Sequence, residues 1–268
     1  MKKLFIILLA CAMLLTACNT ADKPDTDKSG SETNDKVAKP VDDMEGYEDA
    51  VIVSKDKLEI LVYKKETNGS LYFCNIKDAK IFLDNKESSI DELQAGMNVK
   101  IDFSGPIMES YPAQMSSERV YATPLVKNQV NDKIGFYVKV FKDLWEGDKA
   151  LQADTKYLGI DIDKGPIKLD EVEKQALGYV LWGEFEKEVV FTNIKNLTKE
   201  GKIKDLSWKD GVLLTVSADK YEDNASSVNF TCEKWRSGTG AIGYNNCKAR
   251  WDDKGHLEEI EYKNPWIS

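Results

Sequence analysis

Val228-Asn229-Phe230-Thr231-Cys232-Glu233-Lys234-Trp235, then Gly238-Thr239-Gly240-Ala241, then Ile242-Gly243-Tyr244-Asn245-Asn246-Cys247-Lys248-Ala249-Arg250-Trp251, decides the fold of the second half of the chain. Successive side chains of a strand point to opposite faces. With Thr239 and Gly240 as the central residues of a hairpin turn, Val228 faces Trp251, Phe230 faces Ala249 and Cys232 faces Cys247. These six side chains form one apolar face. The other face pairs Asn229 with Arg250, Thr231 with Lys248, Glu233 with Asn246 and Trp235 with Tyr244. A shift of one residue would mix the faces, so the pattern predicts an antiparallel hairpin covered on one side. Gly238 to Gly243 also spells G-x-G-x-x-G, with Glu258 downstream. The dinucleotide fingerprint needs a strand before and a helix after. Strand patterns lie on both sides here, so the glycines are read as turn residues.

Outward from the hairpin, Val212–Ser217 and Leu257–Tyr262 read as further strands. Ile134, Tyr137, Val138, Phe141, Leu144 and Trp145 recur at three and four, the spacing of an amphipathic helix that stops near Gly147. Leu158, Ile160 and Ile162 alternate as a strand. Asp170 to Trp182 reads as a second helix, with Val172, Ala176, Tyr179 and Val180 on one face. Val189–Thr192 is a short strand, and Asn193 caps a helix ending at Gly201. Residues 128–268 are therefore predicted to form an α+β domain with helices packed on an antiparallel sheet.

Residues 51–127 carry a different rhythm. Val51–Ser54, Leu58–Lys64, Leu71–Ile76 and Lys80–Leu83 are strand-like, with Asn68-Gly69 as a hairpin signal. Ser89-Ile90-Asp91-Glu92 has the form of a capping box before Gly96, and Met97, Val99, Ile101 and Phe103 alternate with polar residues. Several strands with one helix before a late strand predict a small OB-like β-barrel. Leu93-Gln94-Ala95-Gly96-Met97-Asn98-Val99 and Gly105-Pro106-Ile107-Met108-Glu109-Ser110-Tyr111-Pro112-Ala113-Gln114 resemble an uncharacterised domain of Firmicute lipoproteins. The resemblance implies no activity. Glu109, Ser110 and Tyr111 could face a ligand; turn chemistry at a barrel rim explains them as well. The change of rhythm near residues 126–133 predicts two domains that each fold alone.

The N-terminus supplies an address. Lys2 and Lys3 precede an apolar run from Leu4 to Leu15. At about 1.5 Å per residue it covers roughly 18 Å, against about 30 Å of hydrocarbon. It is too short to span and fits a signal-peptide core. Leu15-Thr16-Ala17-Cys18 resembles the lipobox of bacterial lipoproteins. That resemblance implies removal of residues 1–17 and a diacylglycerol on Cys18, which anchors the protein to the outer face of the cell membrane. Residues 18–50 read as an acidic, disordered tether, because Asn19–Ala50 holds ten Asp/Glu, four Lys and two Pro with few large apolar side chains. The excess of Lys over Arg suits a Gram-positive source.

Charge and composition exclude much of the rest. Across 268 residues, 37 Lys+Arg against 46 Asp+Glu leave a net charge of −9. That balance argues against nucleic acid, whose phosphates require cationic groups. A single histidine, His256, excludes a multi-histidine metal site and leaves any catalytic triad one candidate base. Asp161-Ile162-Asp163-Lys164-Gly165 hints at a calcium loop, but Pro166 and Val172 stand where an EF-hand needs Gly and Glu. No catalytic residue, metal ligand or cofactor site is assigned. Cys232 and Cys247 are candidates for a cross-strand disulfide, which the extracytoplasmic compartment permits. Cys74 is left as a lone thiol.

All six tryptophans lie in the second segment, and Trp235, Tyr244, Trp251, Tyr262 and Trp266 crowd its last strands. Aromatic faces line many ligand pockets. The sequence thus predicts a lipid-anchored envelope protein, non-enzymatic, that binds a protein partner or a wall-derived ligand near Trp235 and Tyr244. The alternative is an envelope hydrolase that acts on glycan or peptide through paired carboxylates.

Overall fold

The computed structural model describes residues 47–65, 69–102, 104–222 and 225–268. The signal segment, Cys18, the tether up to residue 46, Asn68 of the hairpin signal and Phe103 of the alternating stretch lie outside the described residues. No described helix is long and apolar enough to cross a membrane. The fold is α+β, built on two sheets rich in antiparallel pairs.

The first sheet contains β1 (Tyr47–Lys55), β2 (Glu59–Lys64), β3 (Leu71–Asn75), β4 (Lys80–Leu83), β5 (Lys86–Ser88), β6 (Asn98–Asp102), β7 (Ser104–Met108), β8 (Ala113–Ser116) and β9 (Arg119–Ala122). Their order is β5-β4-β9-β6-β1-β2-β3-β8-β7. The path has two free ends, which corrects the expectation of a closed OB-like barrel. The end strands are β5, which meets β4 over three positions, and β7, which meets β8 at Ser104 and Met108 on either side of an irregular stretch, and β5 and β7 do not pair with each other. The sheet nevertheless wraps its own core. Ile52, Ile60, Cys74, Ile81, Val99, Met115 and Val120 come from strands along the whole path and form one buried cluster with Leu93 and Met97. The expected helix after Ser89 shrinks to a 3-10 turn at Ile90–Glu92 without a side-chain cap. Lys55 Nζ takes the carbonyls of Ile90 (2.8 Å) and Asp91 (2.6 Å), which a longer helix would have used.

β1 and β2 are buried on both faces. Ala50, Ile52, Ile60 and Val62 point into the sheet's own core, while Val51, Val53, Leu61 and Tyr63 point into the larger cluster shared with the helices. That is why Ala50-Val51-Ile52-Val53 and Ile60-Leu61-Val62-Tyr63 read as unbroken apolar runs. β1 also starts earlier than composition suggests, at Tyr47 inside the expected tether. Tyr47 packs edge-on to Tyr121 at 5.6 Å, and Glu48 and Asp49 pair with Lys64 (3.0 Å) and Lys100 (3.4 Å). An acidic segment can join a sheet when neighbouring strands supply lysines.

The second sheet follows α1 (Lys133–Glu146). It contains β10 (Tyr157–Asp161), β11 (Glu188–Phe191), β12 (Gly211–Ser217), β13 (Ser227–Ser237), β14 (Gly240–Trp251), β15 (Leu257–Glu261) and β16 (Pro265–Ile267). The order is β11-β10-β12-β13-β14-β15, with β16 on β14. Two pairs, β10 with β11 and β10 with β12, are parallel, against the expectation of a wholly antiparallel sheet. The reason is α2 (Glu171–Phe185), which carries the chain back across the sheet between β10 and β11. α3 (Ile194–Lys199) follows β11, with Asn193 accepting from the N–H of Asn196 at 2.9 Å. Asp170 caps α2 reciprocally with Glu173: each side chain accepts the other's backbone N–H, at 2.8 and 2.9 Å. Asp132 caps α1 through the N–H of Gly135 (2.7 Å), and burial pushes its carboxyl up to about 6.

The β13–β14 hairpin needs a correction of register. Ser237 pairs with Gly240, so Gly238 and Thr239 are the central residues and the turn comes one residue early. Phe230, not Cys232, faces Cys247, and after a bulge Cys232 faces Tyr244 and Trp235 faces Ala241. The earlier turn shifts the partners of Val228 and Phe230 by two, which preserves their parity, while between the two bulges, at Phe230/Cys232 and Trp235/Ser237, the shift is three. Val228, Phe230, Cys232, Cys247, Ala249 and Trp251 remain buried together, as the alternation predicts.

The two sheets fall on either side of residues 123–132. One apolar cluster crosses that boundary. It joins Val51, Val53, Leu61, Tyr63 and Leu71 to Tyr137, Phe141, Ala176, Leu177 and Leu181 of α1 and α2. Gly96 sits at the same junction with φ 85°, where a Cβ would lie 2.6 Å from the backbone of Asp132. A buried polar link accompanies it: Tyr63 Oη donates to Glu173 Oε1 (3.0 Å), which also meets Lys133 Nζ at 3.3 Å.

Candidate functional site

A groove of about 650 Å³ lies where the two sheets meet. Ligand sites commonly occupy such junctions, in volumes of roughly 300–1,000 Å³. Its first wall is α2. The apolar face of that helix is rotated from the expected one: Val172, Ala176, Leu177 and Leu181 are buried, while Gln175, Gly178, Tyr179, Trp182 and Glu186 form a second stripe along the groove. The opposite side is β11, the last strand of its sheet, through Glu188, Val189 and Phe191. Gly178 keeps the two close, since a Cβ there would come within 3.3 Å of the Phe191 ring. The loop between β7 and β8 reaches across with Tyr111, steadied by Ser110 Oγ donating to the Pro112 carbonyl at 2.7 Å.

The aromatic rings form a connected wall. Tyr179 meets Phe73 at 6.0 Å, Tyr111 at 6.2 Å and Trp182 at 5.9 Å between centroids. Tyr111 stays 64% exposed and Trp182 55% exposed. Isolated exposed apolar residues are ordinary, but a contiguous aromatic patch in a concavity marks an interaction site. Burial pushes both tyrosine hydroxyls above their ordinary range, and the Glu59 carboxylate adds to the rise at Tyr179. The lysine in the groove, Lys187, turns its Nζ to the carbonyl of Thr155 at 2.6 Å.

The sequence-based candidates lie elsewhere. Trp235 is buried with Leu197, Trp208, Leu213 and Ala241. Tyr244 is half-buried against Tyr262, at 5.1 Å, beside the cluster that holds Cys232. The two aromatics sit on opposite faces of the sheet and line neither a shared cavity nor the groove. Cys74, Cys232 and Cys247 are free and buried, and burial pushes the Cys74 thiol up to about 12. Cys232 and Cys247 are diagonal neighbours, Cys247 Sγ donates to the Tyr244 carbonyl at 3.7 Å, and the neighbouring thiol together with burial holds the Cys232 thiol well above its ordinary value. Their adjacency keeps the disulfide open as a proposal. Thiol titration in denaturant of the mature protein, never exposed to reductant, is expected to find Cys74 alone reactive; reactive Cys232 and Cys247 would rule the bond out. His256 places its ring nitrogens against Asp252 Oδ2 (3.2 Å) and Gln94 Oε1, not against a cysteine.

Residues 45–122 match a family model described as a protein of unknown function, DUF3221. The chain therefore carries an uncharacterised DUF3221 domain, which covers the first sheet and contributes Tyr111 to the groove. No curated protein matches the chain. The remaining groove residues lie outside the DUF3221 domain, so the site is completed only by the second sheet and α2.

Sequence reasoning singled out Tyr111 but not the site. It placed Tyr179 in the core and Trp182 at a helix end. The missed signal was the stripe Gln175, Tyr179, Trp182, Glu186, spaced by three and four yet not needed for the apolar face of α2.

Proposed function

We propose that this chain is a lipid-anchored, non-enzymatic binding protein of the cell envelope, probing its surroundings on an N-terminal tether and holding its ligand in the junction groove. The observation that carries the reading is the exposed aromatic wall of Tyr111, Tyr179 and Trp182, open to solvent and contributed by both halves of the fold. Leu15-Thr16-Ala17-Cys18 supports the anchor.

Two measurements test this reading. Titration with solubilised wall fragments and with peptides is expected to change the tryptophan fluorescence of the full chain, and Trp182→Phe is expected to remove most of that change. Binding that leaves the Trp182 contribution untouched would place the ligand elsewhere. For the anchor, Cys18→Ser is expected to shed the protein into the medium or leave the precursor uncut. Membrane retention of a mature-sized Cys18→Ser protein would refute it.

A further inference from the structure

Resting on the groove as the ligand seat, we propose that its occupant is an extended polypeptide segment bearing lysine or arginine, which adds as a strand to β11. Two independent features point there. The first is an open edge. β11 is the terminal strand, paired on one side with β10. The N–H groups of Glu188 and Thr192 point inward, to the carbonyls of Lys156 (3.1 Å) and Ile160 (3.0 Å). By alternation Val189 and Phe191 present their backbone groups outward, along the floor of the groove. An edge of this kind is a template for a further strand, and β-strand addition is a common mode of peptide recognition. Tyr179 and Trp182 of α2 line the same groove as Val189 and Phe191 of this last strand, so a chain added at the edge would pass beside them.

The second feature is charge. Glu186 stands on the rim and forms no ion pair among the described residues, whereas Glu188, opposite Tyr157 in the ladder, turns its side chain to the other face of the sheet, toward Tyr157 and Lys202. Glu59, behind Tyr179, likewise pairs with no base among the described residues, and burial raises its carboxyl. Lys187, the cation among the groove's lining residues, is directed to Thr155 instead. An aromatic wall beside unpaired carboxylates suits an organic cation, because the ring face attracts an ammonium or guanidinium while the carboxylates neutralise it. A peptide strand on β11 would turn alternate side chains toward Trp182 and Tyr111, and a lysine or arginine there meets both rings and carboxylates. A neutral sugar would use the rings and leave both the open edge and the charge unanswered.

The test is selection of a displayed random octapeptide library on the immobilised full chain, followed by titration of synthetic copies of the enriched peptides. Enrichment of lysine or arginine at alternate positions is expected. Trp182→Ala is expected to weaken those peptides at least tenfold, Glu186→Gln with Glu59→Gln about fivefold, and N-methylation of alternate peptide amides beyond detection. Circular dichroism checks that the exposed-site variants stay folded. Neutral or acidic winners, winners indifferent to Trp182 or to N-methylation, or no winners at all would each overturn the proposal. A parallel titration with neutral wall oligosaccharide separates the two readings. If the oligosaccharide registers at Trp182 and the peptides do not, the groove stands as the ligand seat and the peptide assignment falls. If neither registers there, both fall.

Discussion

Lys234→Met is expected to lower the stability of the full chain by about 3 kcal/mol, because several dry oxygens lose their donor. Lys234 lies on β13 with no exposed surface, on the face covered by α1. Its Nζ donates to the carbonyls of Trp145 (3.1 Å), Gly147 (2.6 Å) and Asp148 (3.1 Å) and to Gln152 Oε1, and it stands over the Trp145 ring at 5.5 Å. These carbonyls end α1, where unpaired acceptors and the helix dipole both favour a cation. Methionine keeps the stem's packing and removes the donor. Removing the buried charge offsets part of the loss but does not re-pair the oxygens.

The same site gives a pH signature. Burial pushes the ammonium of Lys234 down to about 8, against 10.5 in an unfolded chain. Between those values the unfolded state binds the proton and the folded state does not, so folding is favoured by rising pH. The wild-type chain is expected to gain stability from this group as pH climbs from about 8 to 10.5, and to lose that gain as pH falls back through 8. Urea midpoints measured across this range for wild type and Lys234→Met would show it as a difference in slope. Parallel slopes would mean that Lys234 keeps an ordinary pKa.

A larger effect is expected from cutting the chain at its apparent seam. Residues 47–127 and 128–268, expressed separately, should each fail to fold. The first piece would expose Val51, Val53, Leu61, Tyr63 and Leu71 to water, all at present less than 8% exposed. At about 1.5–3 kcal/mol per side chain, that is on the order of 10 kcal/mol, comparable to the whole stability of a typical domain. The second piece would lose the surface on which α2 lies, together with the partner of Glu173. Co-expression should restore a soluble complex, read by size exclusion and by dispersed amide signals. Dispersed spectra from either piece alone would show that the shared cluster is dispensable.

Local structure was legible where one physical rule sufficed. The helix read from Asp170 starts where α2 does, and Asn193 marked the start of α3. Alternation in Val228–Trp235 marked a strand and its buried face. Register was not legible, because Gly238-Thr239-Gly240 offers two equivalent turn centres and the bulge near Thr231 leaves no compositional trace. The open end of the first sheet was hidden as well, since strand patterns report faces and not which edges pair. The groove escaped because it is assembled from Tyr111, α2 and β11, distant in sequence. Lys234 escaped because a lysine in an alternating strand reads as solvated, and only the carbonyl-rich end of α1 above it reverses that reading.

The position of β1 has a mechanical consequence. β1 lies between β2 and β6 and runs antiparallel to both, over registers of five positions each. A load drawn along the strand from Tyr47 would shear both ladders at once, with all their hydrogen bonds sharing the force. A peripheral strand loaded at its tip would instead peel bond by bond. If the protein is held by its N-terminus while gripping a partner on the far side of α2, tension would enter through a strand braced on both sides, and an exchange of β1 with a terminal strand would weaken it as a fastener without changing what it binds.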